Sequence, residues 1–183
     1  MRRKARELLV ISMVVIIFLS IICLVYYQST YCIRKNNLED ISCVLEERLG
    51  LSSLNFSVLC VKDVMPYKFI SYEYNGVIGL YVFKQTRFLS NRFIFYGHSF
   101  SGSKSINTFS YMERWPSCFS MVVVYGNSVE TDIFSYSITI LDSTYERNVN
   151  SSSFIHIYIN DRDESLKYNG YIYDMKGNLI SLL

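Results

Sequence analysis

The most reactive side chains of this 183-residue chain fall in three short segments. The first is Gly97-His98-Ser99-Phe100-Ser101, spaced much like the Gly-x-Ser-x-Gly turn that exposes a nucleophilic serine between a strand and a helix. The second glycine of such a turn allows its sharp bend. Here Ser101 stands in that place, and Gly102 follows one position late. The only histidine downstream is His156, which shares a strand face with Phe154 and Tyr158, opposite Ile155, Ile157 and Ile159. Ser99, His156 and an acid such as Asp161 can be written as a triad, so His98, Ser99 and His156 are the remote catalytic candidates. The broken turn argues against them, and the chain is expected to be non-enzymatic, without a cofactor.

The second segment, Asn160-Asp161-Arg162-Asp163-Glu164, offers oxygen ligands at alternate positions. Asp161, Asp163 and Glu164 are weak calcium candidates. A calcium loop needs further oxygen ligands and then glycine at its fifth and sixth places, where Ser165 and Leu166 stand, and Arg162 lies inside the cluster. A solvated turn is expected, and no metal. Five cysteines show no Cys-x-x-Cys spacing, which disfavours zinc and thioredoxin-like chemistry. Cys23 falls in an apolar run. Cys32, Cys43, Cys60 and Cys118 allow three pairings, of which Cys60–Cys118 is favoured because both flank strand-like runs.

The third segment is a matter of charge. No Asp or Glu occurs from Tyr74 to Met112, where Lys84, Arg87, Arg92 and Lys104 are spread among Phe83, Phe88, Phe93, Phe95, Tyr96 and Phe100. Basic and aromatic residues together can hold a polyanion through ion pairing and stacking. The bland reading makes the aromatics core and the basic residues its rim. Residues 130–164 carry seven acids against Arg147 and Arg162, so basic and acidic strands can also simply be neighbours. Trp115, before Pro116, is expected in a loop that covers one end of the core.

The elements that position these residues begin with Leu8–Tyr27, which contains no charge, proline or glycine. Its twenty residues would make a helix of about 30 Å, the thickness of a bilayer's hydrocarbon core. Arg2, Arg3, Lys4 and Arg6 precede it, and the positive-inside rule places residues 1–7 in the cytoplasm and the rest outside. Seven residues are too few for a folded signalling unit. A cleaved signal peptide would have a shorter apolar stretch and small residues at the cut. A lipobox ending at Cys23 would need a small residue where Ile22 stands. Removing residues 1–7 leaves 14 basic and 15 acidic groups, a net charge of −1. The basic balance of the whole chain is therefore a sign of topology and not of nucleic-acid binding.

Beyond a juxtamembrane link, residues 36–49 have apolar residues at helical spacing, with Asn36 and Glu39 as a capping box and Gly50 as a stop. From residue 54 the period changes to two. Strands are expected at 54–61, 67–74, 77–84, 92–96, 119–125, 134–140, 153–159, 170–174 and 178–182. Asn75-Gly76 predicts a tight hairpin. Tyr173-Asp174-Met175-Lys176-Gly177-Asn178-Leu179 predicts another, and is similar to one unit of the bacterial YD repeat. A single copy implies a hairpin and no more.

The expected architecture is thus a transmembrane helix (8–27), a link with one amphipathic helix (28–53) and a mostly antiparallel β domain (54–183) of eight or nine strands, as sandwich, curled sheet or open barrel. The function expected of it is binding a partner protein or assembling in an envelope complex. Polyanion or small-ligand binding through Lys84, Arg87, Arg92 and Lys104 is the alternative, and a hydrolase the remote one.

Overall fold

The computed structural model describes residues 2–30, 33–34, 37–50, 56–64, 66–86, 89–100, 106–113, 119–128, 133–160 and 166–183. Its first element is helix α1 (Arg2–Thr30), whose stretch Leu8–Tyr27 has a mean hydropathy of 3.3 and is nowhere buried in the protein. Its two serines are neutralised locally: Ser12 and Ser20 donate to the carbonyls of Leu9 and Ile16 at 2.9 and 2.8 Å. The helix is long and apolar enough to cross a membrane.

The second helix, α2 (Leu38–Leu49), is capped by Asn37 and not by Asn36. The Asn37 side chain accepts from the amides of Glu39 and Asp40, and Glu39 and Asp40 lie in the first turn, where the helix dipole favours acids. Gly50 ends the helix at a φ of 63°, a left-handed conformation in which other residues are strained.

Twelve strands form three antiparallel sheets among the described residues. The first sheet has the order β1-β5-β4-β3-β2, from β1 (Ile33–Arg34), β2 (Phe56–Val64), β3 (Tyr67–Tyr74), β4 (Val77–Thr86) and β5 (Leu89–Phe100). The second has the order β10-β7-β6, from β6 (Ile106–Glu113), β7 (Phe119–Asn127) and β10 (Ser153–Asn160). The third has the order β12-β11-β8-β9, from β8 (Ile133–Ile140), β9 (Ser143–Asn148), β11 (Tyr168–Asp174) and β12 (Leu179–Leu182). Asn75 and Gly76 both take positive φ, 51° and 74°, as the tight β3–β4 hairpin requires. At the β11–β12 turn the Asp174 carboxylate accepts from the amides of Lys176 and Asn178, each at 2.8 Å.

Three buried clusters hold the layers together. Ile41, Val44 and Leu45 of α2 meet Ile70, Tyr72, Tyr81, Phe83 and Phe93 on one face of the first sheet. Phe69, Leu80 and Val82 of its other face meet Met121, Val123, Tyr125 and Ile155 of the second sheet. Val122, Val124 and Phe154, on the far side of the second sheet, meet Tyr136, Ile138, Ile140 and Ile172 of the third. Strand β7 is covered on both faces, which is why Met121–Tyr125 reads as a continuous apolar run and not as an alternation.

Three strands lie outside the expected set, the first being β1, which forms within the juxtamembrane link. Residues 106–113 form β6, although the run through Asn107 reads as loop, and residues 143–148 form β9 although no alternation marks them. Every residue of β9 is exposed, so no burial pattern was there to be seen.

Among the described residues, two buried side-chain groups lack a hydrogen-bond partner, the Tyr72 hydroxyl and the Asn160 amide nitrogen. Tyr72 is fully buried. Burial is also the main cause that pushes its ionisation far above the ordinary tyrosine range, so it stays a neutral phenol. Replacing it with phenylalanine removes an unsatisfied donor and keeps the ring. Tyr72→Phe is expected to stabilise the fold by about 1 kcal/mol, read as a rise in the urea midpoint at unchanged slope. A fall in the midpoint would show that the hydroxyl has a role.

Candidate functional site

Polar side chains inside the β domain gather in two places, on opposite sides of the second sheet. The first lies between sheets one and two. Glu113, at the end of β6, is 5% exposed and accepts a hydrogen bond from the Tyr67 hydroxyl. It takes a second from Lys84 Nζ at 2.5 Å and a third from the Tyr96 hydroxyl at 3.2 Å. The hydroxyls of Tyr96 and Tyr111 bond each other. The Lys84 ammonium also lies 5.3 and 5.1 Å from the ring centroids of Tyr67 and Tyr96. Burial by itself would raise the Glu113 carboxyl. The bonds from Lys84 and Tyr67 outweigh it and hold the group below the ordinary carboxylate range.

That arrangement bears directly on the basic segment. Lys84 is engaged by Glu113, the first acid after the acid-free window. Arg92, on β5, places its guanidinium 5.5 Å from the ring centroid of Tyr27, where α1 leaves its apolar stretch. The two basic residues are thus drawn to different partners. Arg87 and Lys104 lie outside the described residues, as do Asp161, Asp163, Glu164, Trp115 and Cys118. Cys60, on β2, carries a free thiol whose ionisation burial raises above the ordinary range, and the pairing expected with Cys118 falls on a residue outside the described ones. Cys60 packs beside the cluster between the first two sheets, which draws the side chain inward.

A further cation went unnoticed in the sequence. Lys68, on β3, has no exposed side-chain surface, pairs with Asp63 at 2.6 Å and lies 5.0 Å from the ring centroid of Phe93. A lysine inside an aromatic strand run carries no signal that it is buried; the register pairing Asp63 with Lys68 explains it.

The catalytic candidates do not come together. Ser99, on β5, receives a hydrogen bond at 3.1 Å from Tyr125, which points from the second sheet toward the first. His156 opposes Val124 in the β7–β10 register and points toward the third sheet. The second sheet therefore stands between the two side chains. His98 is exposed, its ring stacked on Tyr81 at 5.7 Å.

His156 belongs to the second polar gathering. Its Nδ1 is 2.6 Å from the Tyr136 hydroxyl, which in turn is 2.7 Å from the Tyr158 hydroxyl. Beside it an open recess of about 300 Å³ is lined by Lys62, Arg147, His156, Ile157 and Tyr158. Burial, then the charges of Lys62 and Arg147, lower the proton affinity of the imidazole below its ordinary value, so the ring is held neutral. Tyr136 is pushed the other way, mainly by burial. Sequence reasoning found His156 and, on the same strand face, Tyr158, but not Lys62, Tyr136 or Arg147 as their neighbours, because other strands deliver them.

The third notable surface is an edge. Strand β12 ends the third sheet, and Leu179, Ile180 and Leu182 are 57%, 47% and 72% exposed. Strand β9, at the other edge of that sheet, carries Glu146 and Arg147, charges of the kind that discourage edge pairing. No such charge lies within β12.

Together these features define a class: an antiparallel β domain behind an N-terminal apolar helix that is compatible with a membrane anchor. Comparison with family models, curated proteins and solved structures finds no match.

Proposed function

We propose that this chain is a single-pass, signal-anchored membrane protein with its N-terminus in the cytoplasm and its β domain outside. In this reading the domain is non-enzymatic and binds a partner protein, or assembles in an envelope complex, by adding a partner's strand to β12. The observation that carries the reading is the apolar, uncharged outer edge of β12. An extended backbone is the chemical complement of an open strand edge, and Leu179, Ile180 and Leu182 offer apolar contacts on both sides of it. The basic flank Arg2, Arg3, Lys4 and Arg6 supports the orientation.

The reading is tested with a photo-crosslinking residue placed at Leu182 or at Asn150, an exposed position outside the strands. In intact membranes, Leu182 is expected to yield one discrete protein adduct that Ile180→Lys abolishes, and Asn150 none. Recovery of uncrosslinked chain alone from the Leu182 probe would sink the proposal.

A further inference from the structure

We propose that the recess between β2, β9 and β10 binds a small phosphate-type oxyanion on Lys62, Arg147 and His156. Each of the three sheets delivers one of these side chains: Lys62 from the first, His156 from the second and Arg147 from the third. No carboxylate lines the recess among the described residues. The neighbouring acids are turned away. Asp63 bonds Lys68, and Glu146 alternates to the other side of β9 from Arg147.

The donor count suits an oxyanion. Lys62 Nζ gives one hydrogen to the Ile155 carbonyl at 3.0 Å, which fixes the ammonium over β10 and leaves two hydrogens. Arg147 contributes the planar fork that matches phosphate oxygens. The bond between Tyr136 and Nδ1 commits one nitrogen of His156 and leaves Nε2 as the other. Tyr158 lines the wall and holds Tyr136 in place. Two cations beside an imidazole repel its proton, and an anion between them reverses that repulsion.

Size and place narrow the ligand. A recess of about 300 Å³ is at the small end of ligand sites, enough for a phosphate with a short substituent. Strand β2 is the edge of the first sheet away from β5, whose Arg92 touches α1. Three strand spacings of about 4.8 Å separate β5 from β2. A soluble phosphomonoester therefore fits better than a headgroup of the bilayer that holds the anchor.

The test uses the full chain in nanodiscs of phosphatidylcholine, with the His156 ring followed by NMR during titration with inorganic phosphate. Phosphate is expected to raise the His156 titration midpoint by about one pH unit, with Arg147→Gln weakening the apparent affinity about tenfold and Arg92→Gln leaving it unchanged. A parallel arm replaces part of the phosphatidylcholine with phosphatidic acid and omits free phosphate. A His156 shift only in that arm, lost in Arg147→Gln, assigns the same oxyanion chemistry to a lipid headgroup. A His156 ring that ignores both sources through the millimolar range overturns the proposal. So does unchanged phosphate affinity in Arg147→Gln and Lys62→Gln. Arg147 is exposed on an edge strand, so its variant keeps the fold even where Lys62→Gln loosens β10.

Discussion

Gly79→Ala is expected to cost the fold about 3 kcal/mol, near the upper end of overpacking substitutions. Gly79 is the cross-strand partner of Tyr72, and the tyrosine ring lies directly over it. A β-carbon built at Gly79 would lie 2.3 Å from both Cζ and Oη of Tyr72, far inside van der Waals contact. The ring has nowhere to retreat, because Tyr72 is fully buried among Phe56, Tyr81 and the apolar face of α2. In a domain of this size the loss corresponds to a melting temperature lower by roughly 6–12 °C. Thermal unfolding followed by near-ultraviolet circular dichroism reads it. The double variant Gly79→Ala/Tyr72→Val should lose less than the two single variants together, because a smaller neighbour admits the methyl group. Wild-type stability in Gly79→Ala would show that the sheet can open there.

Glu113→Ala is the second large effect expected, also about 3 kcal/mol. The substitution leaves the Tyr67 hydroxyl without its acceptor and the Lys84 ammonium without its counter-charge. The Lys84 side chain keeps 25% of its surface exposed, so water relieves part of the loss and the cost falls at the low end of the range for broken buried pairs. Removing both charges with Lys84→Met should recover part of the stability, a coupling that a double-mutant cycle measures. The pH dependence follows from the same bonds. A carboxyl held below its unfolded value of 4.5 stabilises the fold above that value, and the contribution disappears as pH falls through the lower folded value. Glu113→Gln should therefore flatten the acid limb of the stability curve below pH 4.5. An unaltered acid limb would show that Glu113 does not carry it.

The same two residues show what the sequence conceals. The acid-free window from Tyr74 to Met112 suggests an unopposed basic surface, yet the carboxylate that neutralises Lys84 is the residue next to the window. The pair is 29 positions apart in the chain, and only the stacking of the first two sheets brings them together. Local signals were readable wherever the chain satisfies itself within a few residues. The Asn75-Gly76 turn, the Gly177 turn and the Gly50 stop all have the positive φ their sequences imply. The α2 cap was misplaced by one residue, since Asn36 and Asn37 offer the same side chain and only helix geometry selects between them. Strand β9 left no trace because all its residues face solvent, and with it went Arg147 as a member of a site. The His156 face was readable from alternation alone, whereas Lys62 and Tyr136 needed the sheet packing.

The junction between α1 and the β domain limits where that domain can sit relative to the helix. Helix α1 runs to Thr30 and β1 begins at Ile33, so two residues connect them. Even fully extended, the three steps from Thr30 to Ile33 span only about 10 Å. With α1 in the bilayer as proposed, the domain cannot reach far from the lipid surface or turn freely upon it. Encounters with other membrane components would then be confined to two dimensions and to a narrow range of orientations, which raises effective concentration without any added contact. Lengthening that junction with a flexible insert would leave every interaction within the β domain intact while weakening capture in the membrane. Geometry of attachment, and not only surface chemistry, would then set the strength of binding.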